Sequence, residues 1–521
     1  MNTSASAAQD SPATACFPRI VWALVGLKLG LHLLALRNDD WFRDEFYYLA
    51  CSRRLAWSYV DHPPLSVAVL SALGDARDSF LVVRFLVFFL GCLTLLLASV
   101  LTREFGAGTA AQCLTVLALM LSPGFLGLHS FYSMNAWEPL FWLMAAWVWV
   151  RIAKQGTVCQ WALLSAVFVA GLQNKLSMLW LVLPSLGTAA VFCRHRTHTL
   201  SGILFAFAAL LVSAAPMVLW QTQHGWPTLE FIANATRLKV LDLSISQFWF
   251  SQILVFGPLA LILALLGASA CLASREWRKH GVVLGASFFA TAAMLSFAHG
   301  ARVYYLAPAY AIAVPVGAAF ICRQLRVQEV LKRVVVGVAC VLLIAPALVG
   351  LPLALPLLSP EDTVRYATWL KLPLPREERS GASELPQHLA DRHGWRELAA
   401  TVSTALSLLP PEIQEQVTIV AANYGEAAAL EYHRRHHRLP QRIVSPHNQY
   451  WFWARPEDWG RHFVTVGFSA ESLRTVCDSV RELARVQCQW CRAGERGALI
   501  AYCHYKGTDI KEDWVSLRKF I

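Results

Sequence analysis

The residues best suited to chemistry crowd into positions 37–66, RNDDWFRDEFYYLACSRRLAWSYVDHPPLS. This stretch holds the carboxylates Asp39, Asp40, Asp44 and Glu45, then Arg53 and Arg54, then Asp61-His62-Pro63-Pro64. A carboxylate partly shielded from water suits a general base. A histidine in a rigid Pro-Pro turn suits contact with a phosphate. Both groups also have plain structural uses. Acids in the first turn of a helix and cations in its last complement the helix dipole, and Asp39 or Asp40 would serve as a cap. A second polar group, HSFYSMNAWEP at 129–139, places Asn135 and Glu138 where an apolar run begins. A carboxylate there is costly unless it is used or paired. Lys175, Arg237, Lys239 and Arg302 are the cations in loops that otherwise carry few. Lys175 and Arg302 sit in very short loops and are the better candidates for an anionic headgroup, whereas Lys239 reads as a snorkelling side chain.

The elements that must hold these residues are apolar. The chain has 521 residues, 56% of them hydrophobic and only 15% charged, against about a quarter charged in a soluble protein. Eleven apolar runs approach the length of a bilayer span: 19–36, 80–101, 107–126, 134–150, 158–173, 176–193, 200–220, 248–273, 281–298, 304–322 and 334–358. Runs of about 20 residues suffice to cross. The final run ends at Pro352, Pro356 and Pro360, which stop a helix. Alternate loops carry Arg103; Arg151 and Lys154; Arg194 and Arg196; Arg275, Arg278 and Lys279; and Arg323, Arg326, Lys332 and Arg333. Such loops face the cytoplasm. The net charge of +11 therefore follows from membrane topology and not from a nucleic-acid surface, since a basic stripe with interleaved aromatics is absent.

This bias predicts an N-terminus inside and a C-terminal domain outside, on the face of the 37–79 loop. Residues 1–18 lack a basic region before an apolar core and read as a disordered cytoplasmic tail, not a cleavable signal. The membrane domain is expected over 19–358, a Pro- and charge-rich linker over 359–386 and a soluble α/β domain over 387–521. Strands are expected at 417–422, 462–467 and 498–504, with a turn at 423–425 and a helix from Glu426. An amphipathic helix is expected over 43–56, with Phe42, Phe46 and Leu49 on its apolar face. Cys477, Cys488, Cys491 and Cys503 form an even set in an extracytoplasmic domain, which favours disulfides with three pairings open. There is no P-loop, G-x-G-x-x-G or H-E-x-x-H, so ATP, dinucleotide and zinc-protease chemistries have no motif to stand on.

The run Arg43-Asp44-Glu45-Phe46-Tyr47-Tyr48 followed by Tyr59-Val60-Asp61-His62-Pro63-Pro64-Leu65 resembles the first outer loop of bacterial glycosyltransferase family 39 proteins. These are multispanning GT-C enzymes related to dolichyl-phosphate-mannose protein mannosyltransferases and lipid A aminoarabinose transferase. Positions 133–142 resemble the family's second acidic motif, 297–300 with 304–310 a later segment, and 423–427 and 445–451 the soluble domain of many bacterial members. The resemblance covers nearly the whole chain. It implies a polytopic α-helical membrane protein of GT-C type, about 11 transmembrane helices, with a C-terminal soluble α/β domain. It further implies a glycosyltransferase of the inner membrane. A sugar on polyprenyl phosphate is passed, with inversion, to the hydroxyl of a periplasmic acceptor.

Asp44 is then the expected base, with Glu45 and Glu138 as further catalytic acids. His62, Asp61, Tyr48, Asn135, Lys175, Arg302 and Tyr304 are the expected substrate contacts. Asn135 stands where the family often has Asp, and His62 where the aminoarabinose transferase has Lys. A divalent cation, used by some GT-C enzymes, would fall to Asp44, Glu45 and Glu138. The alternative is a transporter or flippase of lipid-linked sugars, but such proteins place polar groups mid-span, whereas here they gather on one face.

Overall fold

The computed structural model describes residues 17–193, 198–325, 329–371, 378–379, 381 and 383–521. The tail at 1–16, the basic residues Arg194, Arg196 and Arg326, and the linker stretch 372–377 lie outside the described residues.

Each of the eleven apolar runs contains a helix. Among the described residues, six helices are long and apolar enough to cross a membrane, and up to seven if one bent pair counts as a span. Thr109–Met120, Val158–Asn174 and Leu176–Phe192 are shorter apolar helices. The chain is thus a multi-pass membrane protein. The bent pair corrects the single span expected over 248–273. Ile245–Phe256 and Pro258–Ala273 meet at 110°. The cause is local: Gly257 takes a left-handed φ of +85°, and Pro258 starts a new helix where its missing N–H costs nothing. The stop expected at Pro352 also fails. Helix Glu329–Ala354 runs through Pro346 and Pro352, as lipid-embedded helices tolerate, while Pro360 opens the next helix, Pro360–Leu370. Ala307–Gln324 runs through the middle of the helical core, buried from Ala307 to Ala319. A Cβ at Gly317 would lie on the carbonyl of Leu263, so the glycine lets two backbones touch.

After the membrane helices comes one five-stranded sheet, β1 (Thr418–Ala421), β2 (Ile443–Val444), β3 (His462–Val466), β4 (Cys477–Arg485) and β5 (Leu499–Tyr505), in the order β2-β1-β3-β5-β4. β1 is parallel to β2 and β3; β5 is antiparallel to β3 and β4. The mostly buried apolar runs of β1, β3 and β5 give the three strands legible in the sequence. β4 is mostly exposed and has no comparable apolar signal. Cys477 and Cys503 form a disulfide, while Cys488 and Cys491 are free thiols. Helix Tyr424–His437 follows β1, opened by a reciprocal cap in which the Glu426 amide donates to Asn423 Oδ1 at 3.0 Å and the Asn423 amide to Glu426 Oε2 at 3.3 Å.

This domain docks on the first loop. Arg54 donates to Glu431 at 2.8 Å, Tyr432 to the Asp78 carbonyl at 2.9 Å, and Arg43 to Asn423 at 3.3 Å. Aromatic and aliphatic residues of the loop (Trp41, Phe46, Leu49, Tyr59) share one core with Trp395, Ala427, Leu430 and Val464 of the domain. The first loop and the α/β domain therefore occupy the same face of the membrane helices, as the charge bias predicts.

Candidate active site at the loop–domain junction

The first loop carries a ten-residue helix, Arg43–Ser52, shorter than the 43–56 expected. Its start is fixed by Glu45, whose Oε2 accepts the Phe42 amide at 2.7 Å. It stops because the next two arginines leave it, Arg53 to Asp78 at 2.5 Å and Arg54 to Glu431. Those cations answer carboxylates across the loop and domain, not a helix dipole.

Beneath this helix lies a closed ion-pair network. Arg84, fully buried in helix Phe80–Glu104, donates to Asp39 at 2.7 Å, to Glu45 and to the Asp40 carbonyl at 2.7 Å. Arg392 of the domain donates to Asp39 and to Ser130 Oγ at 2.8 Å. Glu45 also accepts the Tyr132 amide at 2.6 Å. Two arginines thus face two carboxylates, and both oxygens of Glu45 are consumed. Glu45, expected as a catalytic acid, instead anchors the loop to the second polar segment. Asp39 does the same for the domain and is no cap.

Asp44 points the other way. Its Oδ1 accepts the Tyr424 hydroxyl at 2.7 Å, and the side chain is only partly buried. One turn on, Tyr48 shares its face and accepts the Met134 amide at 3.3 Å, the first residue of helix Met134–Lys154. That contact joins the first-loop helix to Asn135 and Glu138. The Oδ1 of Asn135 is buried and accepts no hydrogen bond among the described residues. Asp61 accepts Tyr47 Oη at 2.9 Å, and burial raises its pKa. Asp44 is near enough to add to that rise, so the two acids belong to one site.

His62 does not reach an open face. Its ring stacks on Tyr48 at 4.9 Å and packs against Tyr59 at 4.7 Å and Tyr47 at 5.9 Å. With its side chain 2% exposed, it props up the tyrosines, so the expected phosphate contact is corrected to a packing role. Glu138 pairs with Lys175 at 2.7 Å and accepts Ser177 Oγ. Lys175 Nζ also lies 4.5 Å from the Tyr305 ring, with Tyr304 packed edge-on beside it. The phosphate cation expected at Lys175 is therefore neutralised by the acid expected to act in chemistry.

A second buried cluster gathers more cations. Glu378, 6% exposed, meets Arg302 at 2.9 Å, Lys239 at 3.7 Å and Arg492 at 2.5 Å. Burial alone would raise its pKa, but Lys239, Arg302, Arg492 and Arg43 outweigh it and hold the carboxyl well below the ordinary range. Lys239 is no snorkelling side chain. Arg43 reaches this cluster because position 425 is glycine; a Cβ there would lie 2.5 Å from Arg43 Nε. Asp44 is within electrostatic reach of both Arg43 and Lys239. Asp391 borders the same cluster, 3.9 Å from Arg492, and burial pushes its carboxyl up to about 7.

The structure therefore gathers Asp44, Asp61, Tyr48 and Arg302 around the loop–domain junction, links Asn135 to them through Tyr48, and sets Glu45 and His62 behind them. Reading the sequence missed Glu378, Arg492, Asp391 and Arg392. They sit in polar stretches that look like ordinary solvated surface. Asp44, Glu45 and Glu138 have separate partners and do not fit one divalent cation. Among the described residues no group of three or more His, Cys, Asp or Glu side chains converges.

No family model matches the chain, and no curated protein sequence matches it. Among solved structures it is similar to the crystal structure of ArnT from Cupriavidus metallidurans bound to undecaprenyl phosphate, with a TM-score of 0.58, 15% identity, and coverage of 93% of this chain and 98% of that one. The apo state of the same protein gives a TM-score of 0.57 at the same identity and coverage. A weaker likeness, TM-score 0.47 at 13% identity over 85% of this chain and 68% of the other, is to the Archaeoglobus fulgidus oligosaccharyltransferase in complex with zinc and sulfate. At 15% identity the likeness is one of fold: this chain has the fold of the ArnT structures along almost its whole length.

Proposed function

We propose that this chain is a membrane glycosyltransferase that moves a sugar from a polyprenyl-phosphate donor to an acceptor hydroxyl with inversion. The observation that carries the reading is the adjacency of a partly exposed carboxylate, Asp44, to a cluster of four cations at the junction of membrane helices and domain. Asp44 takes the acceptor proton as the oxygen attacks the anomeric carbon. The bond from that carbon to the phosphate oxygen breaks, and the departing phosphate's charge is met by Arg43, Lys239, Arg302 and Arg492. The Tyr424 hydroxyl aims the carboxylate. Asp61, Tyr48, Asn135 and Tyr304 are assigned to the donor sugar, and the Glu138–Lys175 pair to supporting that wall. The fold shared with a protein crystallised on undecaprenyl phosphate supports a lipid-phosphate donor. The basic loops support an inner-membrane protein with its N-terminus cytoplasmic and its domain and acceptor periplasmic.

The test is mass spectrometry of envelope lipids, glycans and glycoproteins from a deletion strain carrying either the wild-type gene or Asp44→Asn. A sugar adduct should vanish on deletion and return with the wild type. It should stay down about 100-fold or more with the folded Asn variant, the scale of a lost general base. An adduct fully restored by Asp44→Asn removes Asp44 as the base; no missing adduct in the deletion strain removes the reading itself.

A further inference from the structure

Two cysteines of the α/β domain have no part in the candidate active site. Cys488 and Cys491 lie in the loop at 486–498 that joins β4 to β5, separated by Gln489 and Trp490. The loop is anchored where the Val486 amide donates to the Ala498 carbonyl at 3.0 Å and where Trp490 packs against Leu385, Leu389 and Ala390. Between those anchors it folds back on itself. The Cys491 amide donates to Cys488 Sγ at 3.1 Å, and Cys491 Sγ donates to the Cys488 carbonyl at 3.2 Å. The two side chains differ in access: Cys488 is half-buried and Cys491 fully buried. Both press on Gly394, the residue before helix Trp395–Ser407, whose φ is +93°. A Cβ there would lie 2.9 Å from Cys488 Sγ and 2.8 Å from Cys491 Cβ. The glycine thus admits the pair to a helix N-terminus, where the dipole favours a thiolate. The Cys491 side chain and amide hold the Cys488 thiol below its ordinary range against burial and Glu397, whereas Cys488 and burial push the Cys491 thiol up. The other two cysteines of the domain behave differently: Cys477 and Cys503 are buried between β4 and β5 and already joined.

We propose that Cys488 and Cys491 form a thiol–disulfide exchange site, with Cys488 as the attacking thiolate, Cys491 as the resolving thiol and a disulfide-bearing compound as the partner. Cys488 attacks one sulfur of the partner's disulfide; that S–S bond breaks, and the first partner thiolate leaves and takes a proton from water. Cys491 then gives its proton to water and attacks Cys488 in the mixed disulfide. The Cys488–Cys491 bond forms as the second partner thiolate leaves and is protonated. The protein loses two electrons and two protons, and the partner's disulfide becomes two thiols. A reachable sulfur with a lowered pKa beside a buried second sulfur is the arrangement this chemistry needs. The same spacing would also suit half of a zinc site, but among the described residues no group of three or more His, Cys, Asp or Glu side chains converges to complete one. The inference goes beyond the glycosyltransferase reading and does not depend on it. Arg492 follows Cys491 and pairs with Glu378 at 2.5 Å, so one loop carries both the dithiol and a cation of the candidate active site.

The experiment uses the full-length protein in nanodiscs, equilibrated with reduced and oxidised glutathione at stepped ratios, quenched in acid and alkylated. Arg485 and Arg492 bound a tryptic peptide, 486–492 (VQCQWCR), that carries both cysteines, so mass spectrometry reads its state directly. As the ratio is stepped, this peptide should pass reversibly from the doubly alkylated form to the linked form lacking two hydrogens, while Cys477–Cys503 stays linked throughout. Cys491→Ser should trap one glutathione on Cys488, because the resolving thiol is gone, and Cys488→Ser should leave Cys491 free of it. A peptide alkylated at every ratio would make the pair inert, and one linked at every ratio would make it a structural disulfide like Cys477–Cys503; either result overturns the inference. An adduct on Cys491 in Cys488→Ser, or none on Cys488 in Cys491→Ser, overturns the assignment of roles. Should a variant misfold, the titration of the wild type still decides.

Discussion

Two buried charge clusters lie side by side at the junction, and they are built on opposite principles. Around Arg84 and Arg392, two cations face Asp39 and Glu45, every carboxylate oxygen has a donor, and a backbone amide completes the set. Around Glu378, the cations Arg43, Lys239, Arg302 and Arg492 face Glu378 and Asp391, with Asp44 in electrostatic reach, and the buried Oδ1 of Asp391 accepts no hydrogen bond among the described residues. A buried ion pair is strongly destabilising to break when one partner is lost, because the other is left uncompensated. A balanced network therefore reads as structure. The second cluster holds four cations beside the partly exposed carboxylate Asp44, which is why it and not the first is assigned to an anionic ligand.

The sharpest way to break this contrast is Arg84→Ala. It should cost about 3–5 kcal/mol of stability by stranding Asp39 and Glu45, seen as a collapse in melting temperature and yield of the purified protein. A normal melt would show that the balanced network does not hold the loop.

Asp391→Asn probes the edge of the other cluster. Burial raises the Asp391 carboxyl to about 7, with Arg492 opposing, so the folded state favours the protonated form. The native chain then binds more protons than the unfolded one between about pH 4 and 7, and stability falls as pH rises through that window. The Asn variant should lack this slope and gain up to a few kcal/mol over wild type at pH 8 but little at pH 4. Thermal melts of both proteins at the two pH values decide it; parallel curves would mean that Asp391 is ionised throughout.

The smallest expected effect is the most telling. Arg302→Gln should leave the melting temperature nearly unchanged, since three cations remain on Glu378. It should raise the KM for the lipid-phosphate donor about tenfold, the scale of one charge-assisted hydrogen bond. Loss of stability without loss of donor binding would make the two clusters alike.

Local chemistry made much of the architecture readable in the sequence. Apolar runs gave helices in the right places, short apolar runs at 417–422, 462–467 and 498–504 gave strands, and the basic loops predicted that the first loop and the domain share one face. Asp44, at the start of an amphipathic helix in a polar loop, was singled out by composition and by motif. The contacts that sort Asp44 from Glu45 were not readable, because adjacent acids look alike in a string. Only the packing of Arg84 from below and Tyr424 from above separates a structural carboxylate from an available one.

The same holds for His62, which the Pro-Pro turn marks as polar and rigid but which three tyrosines enclose. It holds for Glu378, a lone acid in a polar connection until four remote cations converge on it. Hydrophobic period and charge bias are properties of short stretches, so the sequence by itself determined the membrane helices, the α/β domain and the loop that matters. Charge balance is a property of groups brought together from across the chain, so the tertiary structure alone decided which acids, such as Glu45, are closed off by partners and which, such as Asp44, stay partly exposed.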